Sequence, residues 1–173
     1  MIKEMSPYIK KGDRFLDFGC GHATMSFLVS RDLGAKTTGI DVRDVRDFKI
    51  PFKKYDGQNI LFPDNHFDAV LSSYVLHHAP DAGKLLREIK RVCRRYIIIY
   101  EDTPTNHFQR VFCRLHGRFF NGFFKIGSKC SFLSIEEWQK IFQKERLKLV
   151  HQKHLKLFNP FYITRRTLFV LEK

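Results

Sequence analysis

The chain has 173 residues, of which 43% are hydrophobic and 28% are charged, and its formal net charge is +13 at pH 7. This length and composition favour one globular domain with a sizeable core and argue against disorder. No apolar run approaches the roughly 20 residues of a membrane-spanning helix, and the N-terminal residues contain no hydrophobic stretch of signal-peptide length, so we expect a cytoplasmic protein.

Strands alternate with helices along the sequence. In chain order we predict a strand at 14–18, a helix at 24–34, strands at 36–42 and 67–73, a helix at 81–95, a strand at 96–101, a helix at 134–145 that opens with a Ser134–Glu137 capping box, and strands at 147–152 and 167–172. This alternation predicts an α/β fold in one domain, residues 1–173, with an open, mostly parallel sheet and helices on both faces.

The segment RFLDFGCGHATMS, residues 14–26, places two glycines directly after the first predicted strand. Ligands of parallel sheets bind at the carboxyl ends of strands, and Gly19 and Gly21 allow a ligand to approach the main chain. The loop lacks the lysine and Ser/Thr of a P-loop, and Thr24 stands where a dinucleotide fingerprint has its third glycine. Cys20 and His22 make no metal site alone, and the four cysteines are far apart, so we expect no metal.

Three carboxylates accompany the glycine loop. Asp17 precedes it, Asp41 ends the second predicted strand where a carboxylate can hold both ribose hydroxyls, and Asp56 follows in the next segment with Gly57 beside it. A plain Asp-Gly turn is an alternative for the last pair. An acid beside the loop would repel a pyrophosphate, whereas it suits a ligand that carries an ammonium and a sulfonium.

At these segments the sequence resembles a known family. LDFGCGHA, GIDV, YDGQNILFPDNHFDAVLSSYVLHHAPD and LLREIKRVCRRYIIIYED, which together fall within residues 14–102, resemble the class I S-adenosylmethionine-dependent methyltransferases. The resemblance is strongest to the small-molecule branch related to ubiquinone-biosynthesis methyltransferases. It implies a Rossmann-like, seven-stranded sheet and S-adenosylmethionine as the cofactor.

The resemblance also implies residue roles. The cofactor-binding residues would be Asp17, Gly19, Cys20, Gly21, Asp41, Val42, Asp56, Gly57, Ser72 and Ser73. Within this set Asp41 would bind ribose, Val42 would pack on adenine, and Ser72 and Ser73 would lie beside the methyl donor.

Three departures from the family pattern stand out. Ala23 replaces the third loop glycine, CRRY at 93–96 replaces the usual KPGG turn, and about a dozen residues precede the first strand, so the N-terminal helices that often cap the substrate pocket are mostly missing.

Candidates for proton transfer follow the strand that ends near Ser73. His77 and His78 are the catalytic candidates, since one of them could act as a general base, although a histidine here often only packs and hydrogen-bonds locally. Glu101 and Asp102 end another strand at the same edge, where we weigh a substrate or metal role against loop capping.

The C-terminal part carries most of the positive charge. Residues 103–173 hold 14 basic and 4 acidic side chains, whereas residues 1–102 hold 17 and 14. We expect residues 103–134 to form a substrate-side cap in which Arg110, Arg114 and Arg118 share one helix face. The adjoining apolar stripe is Phe108, Val111, Phe112, Leu115 and Phe119, and Phe119, Phe120, Phe123 and Phe124 are expected near the pocket mouth.

Two interpretations of this cap remain. Its aromatic side packs on the domain with solvated arginines outside, or its arginines meet an anionic substrate, a nucleic-acid backbone or a membrane surface. The sequence SSYV replaces the motif of adenine and cytosine amino methylases. We therefore expect a methyltransferase for a small-molecule acceptor that is anionic or lipid-like, with an RNA methyltransferase or a non-catalytic cofactor-binding module as alternatives.

Overall fold

A computed structural model describes residues 1–123, 130–155 and 164–173, with only the backbone described for 116–123. The elements in chain order are α1 (Ile2–Met5), β1 (Arg14–Phe18), α2 (Thr24–Leu33), β2 (Lys36–Asp41), β3 (Phe52–Lys54), β4 (Phe67–Ser73), α3 (Ala82–Val92), β5 (Cys93–Thr103), α4 (His107–Phe123), α5 (Ile135–Lys144), β6 (Lys148–Leu155) and β7 (Arg165–Glu172). Short 3₁₀ turns cover Ser6–Tyr8 and Leu76–His78.

The strands form one seven-stranded sheet in the order β3-β2-β1-β4-β5-β7-β6. The first five strands along the chain pair in parallel, and β7 is antiparallel to both of its neighbours. The predicted mostly parallel sheet is confirmed. Its strand order changes direction between β1 and β4, which is the position where open α/β sheets bind ligands.

Alternating strand residues supply two separate cores. Leu16 and Ile97 face one side, where the apolar stripes of α3 and α5 cover them. Phe15 and Ile98 face the other side, where they pack with α1 and α2. This is the period-2 alternation of a pleated sheet covered on both faces, and it confirms the predicted helices on both sides.

The strand that sequence patterning missed is β3. It has only three residues, Phe52–Lys54, and lies at the sheet edge with two exposed lysines. No apolar run announces it, which is why only six of the seven strands were identified one by one.

The boundary between α3 and β5 also differs from the prediction. The helix expected over 81–95 ends at Val92, and Cys93 is already extended, with φ −83° and ψ 141°. CRRY therefore builds no separate turn, because the buried Cys93 begins the strand. The strand also runs on to Thr103, so Glu101 and Asp102 lie inside β5, paired with β7.

The helix expected to carry Arg110 and Arg114 is present as α4, but two residues of its apolar stripe are not packed on the domain as the first interpretation required. Phe108 is 72% and Leu115 is 63% exposed, whereas Arg110 is half-buried and bonds to Glu137 of α5 at 2.7 Å. Arg114 is exposed. The side chains of Arg118, Phe119, Phe120, Phe123 and Phe124 lie outside the described residues.

Among the described residues, no helix combines the length and apolar character needed to cross a membrane.

Candidate cofactor and active site

The loop after β1 is held against β2 by its backbone. The amides of Gly19 and Cys20 both donate to the carbonyl of Ile40, at 2.8 and 3.1 Å. Gly19 has φ +72°, and a Cβ there would lie 2.4 Å from a methyl carbon of Val75. Gly21 has φ +48°, but nothing lies within 4 Å of where its Cβ would be. One glycine therefore permits close packing, and the other borders open space.

Ala23 occupies the position of the third loop glycine in the family pattern. It is fully buried and adopts a left-handed conformation, φ 61°, directly before α2. This conformation costs a non-glycine residue about 1–2 kcal/mol, so the glycine of the family pattern fits the same backbone without strain. Alanine at this position therefore stores strain at the start of α2.

Asp41 ties the end of β2 to the glycine loop. Its Oδ2 accepts a hydrogen bond from the amide of Gly21 at 2.9 Å, and its Oδ1 accepts from Arg43 at 3.2 Å. The carboxylate is half-buried. The structure thus brings together the predicted ribose acid and the predicted loop glycine.

Asp17 lies beneath the loop and is 2% exposed. Its Oδ2 accepts from the Ser26 amide at 3.1 Å and from the Ser26 hydroxyl at 2.6 Å. Burial raises the pKa of Asp17 to about 6, although the bonds from Ser26 oppose the shift. A cationic ligand at this position would favour the ionised carboxylate.

Cys20 is also buried, and its Sγ lies against Gly39. Burial raises the pKa of Cys20 to about 12, and the neighbouring Asp17 adds to the rise. The thiol therefore stays protonated near neutral pH and is unsuited to act as a nucleophile. His22, the residue considered together with Cys20 as a metal ligand, is exposed, and its Nδ1 lies 3.0 Å from Asp47 Oδ2.

The predicted adenine contacts come from two loops that meet. Asp56 is exposed, and its Oδ1 accepts from the amides of Gln58 and Asn59 at 2.7 and 2.8 Å. These backbone bonds lower the pKa of Asp56 and form the Asp-Gly turn, in which Gly57 has φ +85°. A Cβ on Gly57 would lie 3.7 Å from Val42, which is 47% exposed.

Ser72 and Ser73 end β4 beside β1, with Ser72 in register with Phe18. Ser72 is fully buried, and its Oγ has no hydrogen-bond partner among the described residues. The Ser72 hydroxyl offers a buried hydrogen-bonding group without a described partner, and the space beside Gly21 offers room for a ligand. Both features suit a site for a polar ligand. The residues present therefore fit S-adenosylmethionine.

His77 and Glu101 form a buried pair just beyond these serines. His77 Nδ1 lies 2.7 Å from Glu101 Oε2, and Glu101 Oε1 accepts from the amides of Leu76 and His77. Burial alone lowers the pKa of His77, but the charge and hydrogen bond of Glu101 outweigh it, and the pKa is raised. Sequence reasoning had both residues as candidates but did not pair them.

His78 has a different environment. Burial, with a smaller effect from His77, lowers the pKa of His78 to about 4, so its ring is neutral near pH 7. Its Nδ1 lies 3.4 Å from the Sγ of Cys130, and Phe132 stacks on His77 with ring centroids 4.8 Å apart. Sequence reasoning missed Cys130 and Phe132, because no motif marks residues that reach the site from before α5.

A pocket of about 370 Å³ lies farther along the same sheet edge, where α4 and α5 begin. It is lined by Pro104, Thr105, Asn106, His107, Arg110, Ser134 and Glu136. Its volume lies within the ordinary range of small-molecule sites, but its residues are separate from the glycine loop.

The fold and this edge define a Rossmann-like methyltransferase domain. A protein-family model described as a methyltransferase domain matches residues 1–152. The chain belongs to this family, and S-adenosylmethionine is the cofactor that its membership implies.

Similar proteins of known name agree with this family. The chain is 31% identical over 100 residues to the 2-phytyl-1,4-naphtoquinone methyltransferase of Synechococcus elongatus, a match that covers 49% of this chain and 43% of that protein. It is 26% identical over 136 residues to the demethylmenaquinone methyltransferase of Lactobacillus johnsonii, covering 68% and 56%. The chain thus spans about half the length of these relatives.

A solved structure shows the same fold. An S-adenosylmethionine-dependent methyltransferase from Methanosarcina mazei superposes with a TM-score of 0.76, at 17% identity, covering 100% of this chain and 98% of that one.

The open space at Gly21 generates the first test. A Gly21→Val variant should fold but lose S-adenosylmethionine binding, because the side chain fills the space beside the loop. Gly12→Val is the matched control, since Gly12 also has a positive φ, +85°, and nothing within 4 Å of its Cβ position. Calorimetry and circular dichroism measure both. Equal binding by the two variants would place the cofactor elsewhere.

Asp41→Ala should weaken binding of the same cofactor about tenfold to a hundredfold, since a hydrogen bond to a charged group contributes about 1.5–3 kcal/mol. Asp44→Ala is the control, because Asp44 is an exposed acid of the same loop that bonds to Arg46. Calorimetric titration measures both affinities. Binding of NAD as tight as that of S-adenosylmethionine would contradict this assignment.

The raised pKa of Asp17 predicts a pH-dependent stability. Between the ordinary aspartate pKa of 3.8 and the raised pKa of about 6, the folded protein holds more protons than the unfolded chain. The free energy of unfolding therefore falls as pH rises through this window. Asp17→Asn should match the wild type near pH 4 and exceed its stability by about 1–3 kcal/mol near pH 8.

Urea unfolding across this pH range measures the effect. Asp32→Asn is the control, since Asp32 is an acid of α2 bonded to Arg31, and it should show no such gain. A difference between Asp17→Asn and wild type that stays constant with pH would show that Asp17 does not titrate in this window.

Proposed function

We propose that the chain is an S-adenosylmethionine-dependent methyltransferase whose small-molecule acceptor loses a proton during transfer. The observation that carries this proposal is the buried His77–Glu101 pair, which follows directly after the end of β4. A histidine oriented by a carboxylate is the usual arrangement for a general base.

The chain's own residues divide the work of holding the cofactor. Asp41 binds the ribose, Val42 and Gly57 border the adenine, and Asp17 provides negative charge beneath the methionine end. When bound, S-adenosylmethionine supplies a methyl group already activated by its sulfonium. The protein therefore contributes mainly proximity and alignment, for which well-oriented pairs reach effective molarities on the order of 10⁵ M or more.

His77 accepts the acceptor's proton in this proposal. Its Nδ1 holds a proton toward Glu101 Oε2, which leaves the lone pair on Nε2. Glu101 fixes the ring orientation and stabilises the imidazolium once it forms. His78 stays neutral beside it and lines the same turn.

For the acceptor we propose an aromatic hydroxyl compound of the reduced-quinone kind with an apolar tail. The names of two relatives specify a phytyl-naphthoquinone and a demethylmenaquinone. In this chain, residues 103–134 would cap the acceptor side. Phe108 and Leu115 of α4 are exposed, and Arg110 of the same helix lines the pocket. Apolar and basic groups together suit a lipid-like acceptor with an ionisable head.

His77→Gln should lower kcat for methyl transfer about 10²–10⁴-fold, because positioned general bases contribute that much. Its affinity for S-adenosylmethionine should stay within about twofold. The assay follows radiolabelled methyl transfer to a reduced naphthoquinone. His151→Gln is the control, since His151 lies on β6.

Three outcomes would contradict the proposal. Unchanged kcat in His77→Gln would remove the base, methyl incorporation into RNA in place of the quinol would change the acceptor class, and cofactor binding with no transfer would favour a non-catalytic module.

A further inference from the structure

Three side chains of the types that bind metal ions meet at the proposed base, and His77 is one of them. His77 and His78 follow β4, and Cys130 arrives from the segment before α5. Their ligand atoms all lie within 4.8 Å of one another. The two imidazole centroids are 4.1 Å apart, and the Cys130 Sγ lies 3.4 Å from His78 Nδ1.

The spacing of these atoms is close to that of a metal centre. Zinc binds sulfur at about 2.3 Å and nitrogen at about 2.0–2.1 Å in tetrahedral geometry, which places a sulfur and a nitrogen ligand of one ion roughly 3.5 Å apart. The observed 3.4 Å between Sγ and Nδ1 matches this separation. All three ligand atoms lie within 4.8 Å of one another, so they would have to move closer together to share one ion.

The surroundings hold the cluster in place. Glu101 accepts from His77 Nδ1, and ligating histidines commonly donate their second ring N–H to a carboxylate in this way. On the other side, the Ser131 amide donates to the His77 carbonyl at 2.7 Å, which fixes the Cys130 segment against the turn. One thiolate and the Glu101 carboxylate would together offset the charge of a divalent ion.

We propose that His77, His78 and Cys130 bind one Zn²⁺ ion. Two imidazoles and one thiolate form a borderline-soft donor set that suits zinc better than magnesium or calcium. Three protein ligands are the number found in catalytic zinc sites, whose fourth position takes water or a substrate atom. Use of that position by an acceptor oxygen rests on the function proposed above, whereas the metal site itself does not.

From the sequence we expected no metal, because Cys20 and His22 make no site alone and the four cysteines are far apart. Cys130 lies 52 residues from His78, so only the tertiary fold brings the two together. Zinc would occupy the Nε2 lone pair with which His77 accepts a proton in the proposed function, so one molecule can use this atom for only one of the two roles. Protein loaded with zinc would lack the His77 base, whereas metal-free protein would keep it.

The test uses the full chain, stripped with chelator and kept reduced. Added Zn²⁺ should bind at one equivalent by elemental analysis, and added Co²⁺ should give a tetrahedral spectrum with a thiolate charge-transfer band. Cys130→Ser should remove that band and weaken Zn²⁺ binding at least a hundredfold. His78→Gln should also weaken it, and Glu101→Gln should weaken it about 10–100-fold through its support of His77.

The matched controls are Cys20→Ser and His22→Gln, which should leave Zn²⁺ affinity unchanged. Circular dichroism confirms folding of every variant, and His78→Gln keeps the test valid if Cys130→Ser misfolds. Sub-stoichiometric zinc, a cobalt spectrum without the thiolate band, or the same spectrum in Cys130→Ser would overturn the site. Calorimetry with S-adenosylmethionine distinguishes failure of the zinc site from failure of the proposed function. A wild-type protein that binds Zn²⁺ but no S-adenosylmethionine would reject the proposed function and support the zinc site.

Discussion

The buried carboxylate of Glu101 organises the ligand edge of the sheet. It is 1% exposed, and it accepts from two backbone amides of the Leu76–His78 turn as well as from the His77 ring. A buried carboxylate without such partners would be strongly destabilising. Glu101 lies inside β5, and the groups that donate to it follow β4. These hydrogen bonds therefore fix the Leu76–His78 turn relative to both strands.

The position of that turn also limits which residue can stand at position 19 of the glycine loop. Val75 lies where a Cβ on Gly19 would be, so the turn packs directly on the loop backbone. Tyr74 is held in a left-handed conformation, φ 58°, while its amide donates to the Tyr100 carbonyl and the Arg166 guanidinium lies 5.4 Å from its ring centre. Such strain costs about 1–3 kcal/mol and persists where surrounding contacts over-determine the backbone. The contacts with β5 and β7 therefore hold Tyr74 in this strained conformation.

Sequence reasoning was most successful where local chemistry decides the structure. Buried apolar strands such as β1 and the Ser134 capping box were predictable from neighbouring residues, and the box is present with both of its hydrogen bonds. It was least successful where the structure of a segment depends on contacts with residues distant in sequence. The short β3 is a strand only because β2 pairs with it, and Cys93 joins β5 rather than α3 because the sheet buries it.

The same limit applies to the candidate site. Periodicity predicted an apolar stripe on α4, but it could not predict that Phe108 and Leu115 are exposed while Arg110 bonds to Glu137 of α5. His77 and Glu101 were both recognisable as residues at strand ends, yet their pairing across 24 positions depends on the adjacency of β4 and β5. No local pattern could place Cys130 beside His78.

Charge divides this edge into two chemically different halves. Under the glycine loop, the buried Asp17 and the half-buried Asp41 present carboxylates at close range within a chain of net charge +13. Exposed charges are screened beyond roughly 10 Å at 0.1 M salt, whereas buried ones are screened much less. Local acids would therefore act on a cationic cofactor there despite the basic net charge. Under the proposed function, an acceptor with an ionisable head would instead meet the basic residues of α4, of which Arg110 lines the pocket beside α5. Donor and acceptor would then be held by charges of opposite sign at adjacent places, which suits transfer between them.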